Sequence, residues 1–358
     1  MSVNHAEESS MRELRSYKAL IAGCGYLGQR VADIWVRKGI SVTAVTRSEK
    51  KATEFLRGGI HPLLLDLSSD SDMRSSADAT DDQDSPDAVV WAVGFDRSSG
   101  ISREMIWIDG LRRFIALLTG FRTPPRSFVY VSSTGVYGNA DGGEVDEFTP
   151  PQPVTESGQC CLAAENVLRS ELVQRIPGCQ IVVLRMAGIY GPGRLLRRAS
   201  EIQSGVRISG NPEDWLNLIH VEDAARGVIA ATEQNLTDGW PIPVTAPDSL
   251  SKTKLLNIVN RDTLTRRQYY TELSRLFHAP VPEFEVDHAG GVRIDSGKPE
   301  EATAAPGSQA VPQTVPNDTS RRNSGSKRVI SRCREMLGIS WQYDDVRAGL
   351  RHAVETSE

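Results

Sequence analysis

Short, almost wholly apolar runs alternate along the chain with longer stretches in which apolar residues recur every three or four positions. The runs are KALIAG, SVTAVTRS, PLLLDL, AVVWAVG, SFVYVSS and QIVVLRM, starting at Lys18, Ser41, Pro62, Ala88, Ser127 and Gln180. Runs of this length with little polar alternation predict strands buried on both faces. Between them, Leu27, Val31, Ile34 and Trp35 share one helical face, and Ser48 stands where a second helix would be capped. Ile101, Met105, Ile108, Leu111 and Ile115 predict a helix over residues 101–118 with those side chains inward, and a further helix is expected over residues 158–175. Strands alternating with helices predict an α/β protein with a doubly wound parallel sheet.

Beyond residue 190 the alternation weakens. HVEDAARGVIAATEQ reads as a helix and LLNIVN as a strand. TLTRRQYYTELSRLF reads as a helix opened by a capping box, Thr265 with Gln268. KRVIS reads as a short strand, and the last stretch of the chain as two helices. The expected organisation is a main domain over residues 17–190 and a small C-terminal substrate lobe from residues 191–286 and 326–358. Residues 1–16 read as a disordered N-terminus, 68–86 as a flexible polar insertion, and 287–325 as a disordered linker.

Composition narrows the function classes. Apolar residues make up 39% and charged residues 24%, with a net charge of −5. That fits a soluble globular protein and argues against a broad nucleic-acid-binding face. No run is long enough to span a membrane, and the polar, acidic start does not resemble a secretory signal. The five cysteines follow no metal-binding spacing and fit free thiols in a reducing compartment. The expectation is a cytoplasmic monomer or homodimer with no metal, no nucleic acid and no membrane partner.

The stretch GCGYLG, Gly23 to Gly28, lies between the first strand and the first helix. Gly23 permits a tight turn, Gly25 lets a pyrophosphate approach the backbone, and Gly28 lets helix and sheet meet. Tyr26 and Leu27 complete the turn into a helix whose N-terminus faces the anion. With a strand before and a helix after, this predicts a Rossmann-type dinucleotide site. The second strand ends in Thr46, Arg47 and Ser48 where an NAD-selective site carries Asp or Glu. Arg47 is suited to a 2′-phosphate, which favours NADP, with NAD the alternative and a plain surface Arg the bland one. Asp66 is placed for the adenine amino group, and Ala92, Val93 and Gly94 for a wall along the cofactor. Packing explains those last three equally well.

With GCGYLG, the stretches VYVSSTGVYG, RMAGIYGPG and NLIHVEDAARGV resemble the extended short-chain dehydrogenases/reductases, the NAD(P)-dependent epimerase/dehydratase family that acts largely on nucleotide sugars. The resemblance runs from about Lys18 to about Val354. It implies that Ser133 orients the substrate oxygen, and that a Tyr and a Lys four residues apart do the acid–base work. Alignment on LAAE puts Ser157 at the Tyr position and Cys161 at the Lys position. Neither a Ser hydroxyl nor a neutral thiol replaces what it stands for. Tyr137, four residues past Ser133, is the candidate replacement acid, against a purely structural role.

Arg185 and Arg194 are candidates for gripping a substrate diphosphate, while Arg197 and Arg198 read better as a solvated helix face. Asn217 and His220 sit at the lobe junction implied by the resemblance. Cys160 and Cys161 read as packed small side chains rather than a redox pair. Two functions fit these residues: an NADP-dependent oxidoreductase or nucleotide-sugar epimerase-like enzyme lacking the usual dyad, or a catalytically inert NADP-binding sensor.

Overall fold

The structure, a computed structural model, describes residues 17–69, 85–194, 196–237, 240, 253–285, 326–332 and 334–357. The expected disordered terminus and linker lie outside these residues, as does most of the expected insertion. Seven apolar segments form one parallel sheet: β1 (Lys18–Ala22), β2 (Ser41–Thr46), β3 (His61–Leu64), β4 (Ala88–Trp91), β5 (Ser127–Ser133), β6 (Gln180–Met186) and β7 (Thr253–Ile258). Their order is β3-β2-β1-β4-β5-β6-β7. Ile21 is flanked by Ala44 on one side and Val90 on the other, and Val183 by Tyr130 and Leu255. The strand order reverses between β1 and β4, which opens a crevice at their carboxyl ends.

The longer helices among the described residues are α1 (Tyr26–Arg37), α2 (Glu49–Arg57), α3 (Gly110–Leu118), α4 (Glu156–Val167), α5 (Leu196–Gln203), α6 (Val221–Leu236), α7 (Arg266–Leu276) and α8 (Val346–Glu355). α1 buries Leu27, Val31 and Trp35, while Ile34 sits at the edge of the same stripe. α6 packs on α1 and on β5 and β6. Ion pairs Arg30–Glu222 and Lys38–Glu233, at 3.0 and 3.1 Å, run along the α1–α6 seam. Thus β7 and α6, both from beyond residue 190, belong to the main layer. A third apolar cluster, around Tyr190, Ile208, Tyr269, Tyr270, Leu273 and Leu350, forms the core of a smaller lobe. There α7 begins with the expected capping box of Thr265 and Gln268. None of the helices among the described residues is long and apolar enough to cross a membrane.

Three expected helices differ: a π turn, Leu168–Leu172, breaks the one expected over 158–175, the first of the two closing helices is a 3₁₀ turn, Arg334–Leu337, and the one expected over 101–118 changes register. Met105 is 42% exposed rather than inward. Met105–Asp109 forms a π-helical turn, and the wider turn rotates the apolar positions out of α-helical register before α3 begins at Gly110.

α4 is held to the sheet by a buried ion pair. Glu165 accepts two bonds from Arg185 of β6, from Nε at 3.0 Å and from Nη2 at 2.8 Å. It also accepts the Ser132 hydroxyl of β5 at 2.7 Å. Glu165 and Arg185 are 0% and 1% exposed. Removing one partner would strand the other charge in the core. Glu165→Ala is therefore expected to lower stability by about 3–5 kcal/mol in urea unfolding. A loss below about 1 kcal/mol, the range of an exposed pair, would show that the pair does not hold α4 in place.

Candidate functional site

The crevice is shaped first by glycine. Gly23, at φ +91°, lies so close to Ala92 and Val93 that any side chain would strike their backbone. A methyl group on Gly28 would strike the Gly23 carbonyl. Gly25 is the opposite case: a Cβ placed there meets nothing within 4 Å. The outer two glycines thus close the turn, and the middle one leaves open space at the start of α1. No side chain caps that helix start, so its first N–H groups point toward the opening.

Beside the turn is a cavity of about 160 Å³ lined by Gly23, Thr46, Arg47, Asp66, Gly94 and Phe95, among others. The expected residues Thr46, Arg47, Asp66, Val93 and Gly94 therefore share one hollow with Gly23. Asp66 Oδ1 accepts the Ser68 amide and hydroxyl at 2.9 and 2.6 Å. Burial opposes its ionisation, but these bonds hold the carboxyl below its usual range. Ser48 caps α2 by accepting the Lys51 amide at 3.3 Å. Lys51 Nζ reaches back to the Cys24 carbonyl at 3.1 Å, which brings a second cation to the glycine turn. Arg47 faces Asp96, Nη2 to Oδ2 3.7 Å, with both side chains more than half exposed.

Phe95, Asp96, Ser99 and Ile106 also line the cavity, and sequence reasoning missed them. The available signal was FDRSS after the fourth strand. Asp96 Oδ1 accepts the Ser98 amide and hydroxyl at 2.9 and 2.6 Å and starts a 3₁₀ turn.

Ser133 ends β5, and its Oγ accepts the Gly135 amide at 3.0 Å. The Gly135 carbonyl lies against Gly158 of α4 so closely that a Cβ on Gly158 would strike it. Ser157 and Gly158 are thereby brought up to the turn that carries Ser133. Cys161, one helical turn on, is 6% exposed, and burial pushes its thiol up to about 12. It stays neutral near pH 7. Tyr137 is 1% exposed and donates its hydroxyl to Asn257 Oδ1 at 2.9 Å, with the Arg185 guanidinium 4.8 Å from its ring centre. Burial raises its pKa against the pull of Arg185. The structure sets this phenol inside the protein rather than in the crevice.

The other expected substrate contacts divide. Arg185 is enclosed with Glu165 and does not reach the crevice. Its appearance at a strand end suggested a phosphate grip, but the buried Glu165 claims the guanidinium. Arg194 stacks on the Tyr26 ring at 4.2 Å, and so does Arg30. The Tyr26 hydroxyl donates to the Pro192 carbonyl at 2.9 Å, so this pair ties the glycine turn to the small lobe. Asn217 uses both ends of its amide on one backbone segment. Nδ2 donates to Lys327 O at 2.9 Å, and Oδ1 accepts Val329 N at 2.7 Å. His220 is 0% exposed. It caps α6 by accepting the Glu222 amide, and lies 3.3 Å from His352. Burial, then His352 and Arg30, push its pKa down to about 3, so it is neutral near pH 7. The side chains of Arg197 and Arg198 lie outside the described residues. Arg207 pairs with Glu283 on the surface at 2.8 Å.

The sequence profile of the NAD dependent epimerase/dehydratase family matches residues 19–240. The chain belongs to that family. It is 27% identical to Protein YeeZ of Escherichia coli K12 over 283 residues, 78% of this chain and 92% of that protein. Its fold is similar to that of a UDP-glucose 4-epimerase with UDP-glucose from Thermotoga maritima, with a TM-score of 0.67 and 16% identity over 95% of this chain and 98% of that one. A UDP-glucuronic acid 4-epimerase from Bacillus cereus in complex with NAD gives a TM-score of 0.64 at 14% identity, again over 95% and 98%.

The glycine turn, the uncapped start of α1 and the cavity beside them adjoin one another, while α4 carries Ser157 and the neutral Cys161. The crevice is made mostly by backbone, so one added side chain is enough to test it. Gly25→Val is expected to leave the fold intact, because an added Cβ meets nothing within 4 Å, and to abolish dinucleotide binding if the pyrophosphate takes that space. Calorimetry on the folded variant checks this; unchanged affinity would mean that no pyrophosphate sits there.

Proposed function

We propose that the protein is an NADP-dependent oxidoreductase or epimerase-like enzyme that acts in the cytoplasm on a small, nucleotide-linked substrate. The observation that carries this reading is the space left open at Gly25 between two glycines that admit no side chain. Open space at a bare helix start, next to a cavity with a carboxylate for the adenine amino group, is what a dinucleotide requires. In this reading Asp66 meets that amino group, and Ala92, Val93 and Gly94 flank the ribose and nicotinamide side. Ser133 orients the reacting oxygen, and Tyr137 serves packing rather than acid catalysis. The nucleotide-linked substrate rests on the UDP-glucose held by the Thermotoga maritima epimerase.

NADP is favoured over NAD because the end of β2 lacks a carboxylate and carries Arg47 and Ser48, with Lys51 one turn further. Asp96 beside Arg47 works against this, since it partly neutralises the guanidinium. The second reading, an inert NADP-binding sensor, draws on the neutral Cys161 and the enclosed Tyr137. Arg47→Asp separates the two cofactors. It is expected to weaken NADPH binding about a hundredfold and NADH binding by less than about threefold, read by nicotinamide fluorescence titration. Equal losses for the two would leave Arg47 with no part in phosphate recognition.

A further inference from the structure

We propose that Lys327 is the cationic contact for the substrate. Ser133 at the start of one turn and Lys327 at its end would hold a substrate bearing an anionic or carbonyl oxygen, beyond the carboxyl ends of β5 and β7. This rests on the reading of the crevice as a dinucleotide site and adds the group that faces the cofactor's partner.

Four observations support it. Lys327 Nζ donates to the Tyr137 carbonyl at 2.9 Å. Tyr137 closes the 3₁₀ turn Thr134–Val136 that Ser133 opens, so Lys327 is bonded to the far end of the turn that carries Ser133. The segment that carries Lys327 is fixed independently of its side chain. Its backbone bonds to Asn217 from both sides. Arg328 and Val329 pair in parallel with Glu144 and Val145. The Asn257 amide at the end of β7 donates to the Ile330 carbonyl. This strap therefore crosses the carboxyl edge of the sheet, the side on which open α/β sheets bind ligands.

Lys327 is also half-buried with no carboxylate in ion-pair range among the described residues. The nearby acids are otherwise engaged. Glu144 pairs with Arg328 at 3.0 Å. Glu147 accepts the Ser331 hydroxyl and the Asn257 and Arg332 amides. One carbonyl satisfies one of three ammonium donors, and two remain for a ligand. Burial pulls the amine's pKa below its usual value, as at sites where a lysine touches substrate. Where the resemblance implies a Lys at position 161 on α4, this chain has a buried neutral thiol, and Lys327 brings a positive charge to the turn of Ser133 from a different segment.

The test is amine labelling of the full-length protein with trinitrobenzenesulfonate near neutral pH, followed residue by residue by peptide mass spectrometry. Lys327 is expected to label faster than the exposed Lys50, because an amine with a lowered pKa is the better nucleophile. Labelling no faster than Lys50 would overturn the proposal and leave Lys327 as a structural donor to Tyr137. Lys327→Met should keep the wild-type dinucleotide affinity, since the strap is held by its backbone. A lost affinity in that variant would also overturn it, by placing Lys327 in the cofactor site. Failure of the wild-type protein to bind any dinucleotide would instead remove the cofactor reading, and the labelling rate would still report on Lys327.

Discussion

The pair of Glu165 and Arg185 fixes the geometry on which the site depends. Neither side chain is exposed, and the two bonds between them bring α4 against β6, with Arg169 of the following turn as a second cation beside Glu165. Ser132 joins the pair through its hydroxyl, so Ser133, the next residue, is held in register with α4. Tyr137 lies over the guanidinium and carries the turn back toward the sheet. α4 is thus positioned by charges in the core.

The two halves of the site obey different rules. The half proposed for the dinucleotide is built from backbone: an open Gly25, crowded Gly23 and Gly28, and an uncapped helix start. Such a half tolerates exchange of surrounding side chains. The half proposed for the reaction depends on side-chain chemistry, and there α4 presents Ser157 and the neutral Cys161. The strap after residue 325 contributes Lys327 to the turn of Ser133, bound through Asn217. Asn217 thus acts on the site through that strap.

What was legible in the sequence was what local pattern determines. Apolar runs such as AVVWAVG mark strands because they must be buried on both faces, and GCGYLG marks the turn because only glycine meets its steric demands. Thr265 and Gln268 mark a helix start because the bonds are local. What was illegible depends on distant partners. LLNIVN reads as a strand, but nothing in it says that it joins β6. Arg185 reads as a cation at a strand end, and its direction is set by Glu165, twenty residues earlier. His220 is held neutral by burial that only the packed lobe creates. Met105 departs from its helical face because a π turn intervenes. Lys327 meets Tyr137 across 190 residues, a contact with no local signature.

The central claim is that the crevice between β1 and β4 holds a phosphorylated dinucleotide. A crystal structure of the protein soaked with NADPH tests it most directly. The account predicts the diphosphate beside Gly25 at the start of α1, the adenine in the cavity with Asp66 and Phe95, and the 2′-phosphate next to Arg47. A crevice left empty at saturating NADPH, or an adenosine bound elsewhere on the molecule, would contradict it.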